Sequence, residues 1–164
     1  MTSATQEITA GKNEIQDGKL SEASARFETL LKTEPDNSEA IHGLAIIAAQ
    51  TNDLENALEL ACQAHHLDEA NIEFANTYNL LRFNAGDTLD ALRSLAAISN
   101  KNPGDRESHV NVAQMAAGIG QIEVAYHSLE QYLYSGEADE QVFTMLGNLF
   151  DNVLADQPPP KIPE

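Results

Sequence analysis

Ala23, Ala57, Ala91 and Ala125 stand 34 residues apart, three intervals in succession. Five residues before each lies Gly18, Asn52, Gly86 or Gly120, residue types that tolerate a left-handed turn. A fixed period of this length constrains the fold more than composition does, because it makes the chain a row of like units. Within each copy the apolar residues keep helical spacing. Phe27, Ala61, Leu95 and Leu129 follow the alanines by four, and Leu30, Ala64, Ile98 and Tyr132 by seven, which is one face of a helix. A second helix precedes each turn. Its face is traced by Ile41, Leu44, Ala45 and Ala48, then by Ala75, Tyr78 and Arg82, then by His109, Val112, Ala113 and Ala116.

Breakers and caps separate the copies: PDN at Pro35, EAN at Glu69, PGD at Pro103 and EAD at Glu137. Asp36, three before Glu39, reads as a capping-box variant, and Asn71 and Asp105 are placed to cap the next two such helices. Asp53 and Asp87 are placed to cap the second helices of their pairs. The pattern predicts helix, tight turn, helix over residues 4–37, 38–71, 72–105 and 106–139. A lone helix over 140–155 then covers the open end of the stack. The closing QPPPKIPE cannot continue it, so 156–164 is expected to be a Pro-rich tail or linker. One domain over 4–155 is the expectation.

The unit resembles the tetratricopeptide repeat, on Gly18, Ala23, Phe27 and Pro35; Leu44, Ala45 and Ala57; Gly86, Ala91 and Pro103; and Gly120 and Ala125. Leu146, Gly147 and Phe150 fit the Leu-Gly-x-x-Tyr pattern of its first helix. The resemblance implies an all-α, right-handed α-solenoid of four helix-turn-helix units plus a C-terminal capping helix. Its departures also make predictions. Glu7 and Glu14 stand where the family has bulky residues, which predicts a loose first helix. Asn79 and Arg82 replace a small and an aromatic residue.

Charge narrows the partner. There are 26 acidic and 9 basic side chains, a formal net charge of −17. Nucleic acid and anionic membrane surfaces both require a basic face, so neither is an expected partner. Cys62 is the single cysteine and MTSATQEITA lacks the flank and apolar run of a secretory leader, so a cytoplasmic setting is expected. No catalytic constellation, metal or cofactor is read from the sequence. The adjacent His65 and His66 point about 100° apart on a helix, too far to share an ion. GIGQIE at Gly118 lacks the third glycine of a dinucleotide loop.

The resemblance implies a non-enzymatic module that binds a peptide or helical segment of another protein in a concave groove made by the first helices. Carried onto this chain, the groove positions are Ile8, Lys12 and Ile15; His42, Ile46 and Ala49; Asn76, Leu80 and Phe83; and Val110, Gln114 and Ala117. Glu39, Glu73 and Glu107 add an acidic row along it, suited to a basic or amphipathic partner. Chaperone adaptors of the family grip a carboxylate with basic and amide residues. Here the corresponding places hold residues such as Ile8, Lys12, Gly43, Glu73 and Thr77, which argues against an acidic peptide. Two alternatives accompany this reading. In one, the chain is the substrate-recruiting N-terminal part of a protein-modifying enzyme such as a glycosyltransferase. In the other, it self-associates through Phe143, Phe150 and Leu154 of the terminal helix.

Overall fold

The computed structural model describes residues 3–135 and 139–155, the side chains of 150 and 152–155 excepted. Among these residues there are nine helices and no strand. They are α1 (Ala4–Gln16), α2 (Leu20–Leu31), α3 (Ser38–Gln50), α4 (Leu54–Leu67), α5 (Ile72–Asn84), α6 (Thr88–Lys101), α7 (Arg106–Gly118), α8 (Ile122–Tyr134) and α9 (Glu140–Ala155). The expected tail at 156–164 lies outside the described residues, as do the side chains of Phe150 and Leu154.

A column of short polar residues starts the odd-numbered helices. Ser3, Asn37, Asn71, Asp105 and Asp139 each accept a backbone N–H three residues on, at 2.9–3.3 Å. Such a cap satisfies one of the four N–H groups that a helix start leaves without a carbonyl. The cap of α3 is therefore Asn37 and not Asp36, because only Asn37 stands directly before the first helical residue. Asp53 caps α4, but Asp87 receives the Arg82 guanidinium, at 2.9 and 2.6 Å.

The turns inside the pairs are equally periodic. Gly18, Asn52, Gly86 and Gly120 have φ of 74°, 64°, 100° and 77°, the positive-φ residues among those described. Behind each, the next residue's N–H reaches back to the last full turn: Lys19 to Glu14, Asp53 to Ala48, Asp87 to Arg82 and Gln121 to Ala116, at 2.8–3.0 Å. This is the Schellman closure, and its left-handed residue explains the glycines and the asparagine.

The chain divides into two compact units, Met1–Thr88 and Leu89–Glu164. In the first, α1 packs on α2, α3 on α4, and α3 also meets α2, while α5 lies against α4. One core layer gathers Ala23, Phe27, Leu30, Ala40 and Ile47; another gathers Ala45, Ala48, Ala57, Ala61 and Leu81. Small residues let these helix axes approach closely. Phe27, fully buried, fills the space over two glycines, Gly11 of α1 and Gly43 of α3. In the second unit α7 packs on α8 and α8 on α9, with Val112, Ala113, Met115, Ala125, Leu129 and Val142 buried. Arg106 ties the start of α9 to α7 through Asp139 and through Gln141 Oε1 at 2.7 Å.

The first helix is anchored rather than loose. Arg26 of α2 donates to Glu7 at 2.5 Å and to both oxygens of Glu14 at 2.6 and 3.0 Å. The acidic residues that depart from the family's bulky positions thus find a cation supplied by the partner helix.

Candidate functional site

In the first unit the charged residues of the odd-numbered helices converge. Lys12 projects from α1, and its Nζ lies 2.7 Å from Glu39 Oε2 on α3 and 3.7 Å from Glu73 Oε2 on α5. Glu39 and Glu73 occupy the first turns of their helices, where the dipole favours an acid. Burial pushes the Lys12 ammonium down, but the close pairing with Glu39 and the charge of Glu73 outweigh it, so its pKa stands above the ordinary lysine value.

Below this cluster lies His42, 1% exposed. Its Nε2 is 2.8 Å from Thr77 Oγ1, its ring centroid 4.6 Å from that of Phe74, and its Nδ1 3.8 Å from Glu73 Oε1. Burial holds the imidazole below the ordinary histidine value; Glu73 and Glu39 oppose this and Lys12 reinforces it. Burial likewise lowers His109 in the second unit. A histidine that stays neutral when folded and titrates when unfolded gives stability that is complete above about pH 6.5 and is lost as pH falls below it. Thermal melts are therefore expected to show lower stability at about pH 5.5 than at about pH 7.5, with a shallower dependence in His42→Gln. An unchanged slope in that variant would remove His42 from the account.

The other groove positions divide by burial. Asn76 is buried like His42, so neither offers the side-chain surface expected of a contact residue; the neighbouring structure covers both. Ile46, Leu80 and Phe83 are half-buried. In the second unit, α7 carries Val110 half-buried and Glu107 and Gln114 exposed. Lys12 is the residue whose role sequence reasoning missed. Its groove position is legible, but its pairing with two acids from later repeats needs the helices side by side. The available signal is a lone basic residue among the groove positions.

Arg82 replaces the usual aromatic by capping Tyr78 with its guanidinium, 5.4 Å from the ring centre, and by donating to Asn79 Oδ1 at 3.0 Å. His65 stacks on Tyr78, whereas His66 Nδ1 donates to the Cys62 carbonyl at 2.8 Å. Among the described residues no three His, Cys, Asp or Glu side chains gather as a metal site, and no helix is long and apolar enough to cross a membrane. A cavity of about 240 Å³ in the second unit is lined by Ala96, Ser99, Val112, Val124, His127 and Ser128, among others. It is smaller than the clefts that hold drug-sized ligands. Phe143 on α9 is 55% exposed.

The tetratricopeptide-repeat profile matches residues 14–76. No curated protein matches the chain. Solved structures do. PilF of Pseudomonas aeruginosa is 18% identical, with a TM-score of 0.80 over 92% of this chain and 69% of its own. TTC0263, a thermophilic TPR protein of Thermus thermophilus, is 19% identical, with a TM-score of 0.73 over 92% and 83%. YrrB, a TPR protein with an unusual peptide-binding site, is 14% identical, with a TM-score of 0.67 over 94% and 80%. At such identities the likeness is one of fold: an all-α solenoid of helix pairs.

Proposed function

Because the chain is a tetratricopeptide-repeat protein, we propose that it is a non-catalytic interaction module that takes a basic, amphipathic segment of another protein along its first helices. The observation that carries this reading is the acidic pair of half-buried Glu39 and exposed Glu73, on the same helices as the half-buried Ile46 and Leu80. Apolar side chains of a partner have a surface to cover there, and its basic side chains have carboxylates to meet. A net charge of −17 draws such a partner in over long range. A relative of the same fold that carries a peptide-binding site supports the same use of the scaffold. The single cysteine suits work in a reducing compartment such as the cytoplasm.

Neutralising the pair tests the reading. Phe83→Asp is a poorer probe, because Phe83 is half-buried and a charge there also costs packing. Glu39→Gln with Glu73→Gln removes the charge of the pair while keeping the size of both side chains. Binding of basic amphipathic peptides, followed by fluorescence anisotropy, is expected to weaken about tenfold or more, with a reduced salt dependence. An unchanged Kd with helicity intact would exclude the acidic row from recognition.

A further inference from the structure

We infer that Glu39 and Glu73 form a site for one arginine side chain of a partner, and that Lys12 occupies it as a stand-in while no partner is bound. The inference rests on the reading that the partner lies along the first helices, and it specifies the chemistry of one contact.

The present occupant fits the site incompletely. Lys12 Nζ meets Glu39 at 2.7 Å but reaches only 3.7 Å from Glu73. One ammonium on a flexible stem satisfies neither acid: Glu39 Oε2 is buried without a hydrogen-bond partner, and Glu73 lies beyond hydrogen-bond distance. The second sign lies beneath. His42 Nδ1 is buried and has no hydrogen-bond partner, and it faces Glu73 Oε1 across 3.8 Å. Thr77 Oγ1 holds the opposite nitrogen at 2.8 Å. With the Glu73 carboxylate facing Nδ1, the favoured tautomer has the Thr77 hydroxyl donating to Nε2 and the proton on Nδ1, aimed at Glu73. Glu73 therefore stands between two donors and hydrogen-bonds to neither.

A guanidinium supplies what is missing. It is planar and carries five N–H donors in a fixed fork, so it can bridge carboxylates on adjacent helices where an ammonium cannot. With an arginine across the two acids, Lys12 swings into solvent. Glu73 then uses one oxygen for the guanidinium and brings the other onto His42 Nδ1–H. The side chains of Lys12, Glu39 and Glu73 are 36%, 39% and 48% exposed, so a partner reaches the cluster from solvent, although Glu39 Oε2 itself is buried beside Lys12. A lysine from the partner would offer only the group that Lys12 already provides.

The test uses the full chain, isotope-labelled, titrated with ethylguanidinium and separately with butylammonium while the His42 ring resonances are followed. In the native chain ethylguanidinium is expected to half-saturate at about fivefold lower concentration than butylammonium. Lys12→Met should strengthen binding of both probes, and Lys12→Arg should block both by filling the site itself. Glu73→Gln should abolish the His42 response. Equal response to the two probes, weaker binding in Lys12→Met, or a His42 response that survives Glu73→Gln would each overturn the inference. The outcome is separable from the broader proposal. If the probes behave as stated while basic peptides bind without Glu39 and Glu73, the arginine site stands and the partner reading fails. If the peptides need both acids while the probes show no preference, the reverse holds.

Discussion

Replacing Phe27 with alanine is expected to cost about 3–5 kcal/mol, the range for a large ring removed from a closed core. Phe27 is fully buried and packs with Ala23, Leu30, Ala40 and Ile47, with Ile8, Ile15, Leu20 and Leu44 around them. Its ring lies directly over two glycines, Gly11 of α1 and Gly43 of α3, which offer no side chain of their own. In an array whose repeats contact chiefly their neighbours, such damage stays local. Denaturant unfolding should therefore develop an early phase that belongs to the first unit, and Phe27→Leu should restore part of the loss. A single transition displaced by less than about 1 kcal/mol would mean that the site collapses and that the ring is not the keystone of this layer.

Gly43→Ala is expected to destabilise the protein, against the rule for helix interiors. Within a helix, alanine in place of glycine ordinarily gains about 1 kcal/mol. Here the added Cβ would lie 2.4 Å from Phe27 Cε2 and 2.9 Å from Cδ2. The same end of the ring is closely approached from α1, where a Cβ added at Gly11 would lie 2.4 Å from Cζ. Overpacking of this kind costs about 1–3 kcal/mol. The contact also predicts coupling. Gly43→Ala in the Phe27→Leu background should cost less than in the native chain, because the shorter side chain leaves room for the methyl group. A double-mutant cycle measures this directly. Additive effects would show that the clash is relieved elsewhere.

What can be read from the residues, and what cannot, follows from the range of each interaction. The turns are legible because a left-handed residue admits few types, and Gly18, Asn52, Gly86 and Gly120 announce themselves at equal spacing. Ala23, Ala57, Ala91 and Ala125, fully buried, are legible for the same reason: close helix approach leaves little choice of side chain. The cap of α3 differs from the expectation by one residue because Asp36 and Asn37 are both good capping types, and only backbone geometry separates them. The ion pairs of Arg26 with Glu7 and Glu14, and of Lys12 with Glu39 and Glu73, join side chains on different helices. Their formation depends on axial stagger and on the reach of long side chains, neither of which leaves a periodic trace. The burial of His42 and Asn76 has the same origin. A position known to face the groove does not reveal how far its neighbours cover it.

Two basic residues of the first helix pair meet acids on other helices: Arg26 pairs with Glu7 and Glu14, and Lys12 lies against Glu39 and Glu73. The first ties α1 to α2, and the second brings α1 next to the first turns of α3 and α5.

The central claim, that the odd-numbered helices of the first unit form the docking face, is tested most directly by mapping amide shift changes when a basic amphipathic peptide is added to the labelled chain. Changes concentrated on α1, α3 and α5, around Lys12, Ile46 and Leu80, are the predicted result. Changes confined to the outer residues of α2 and α4, with the amides around Lys12, Glu39 and Glu73 unmoved, would contradict it.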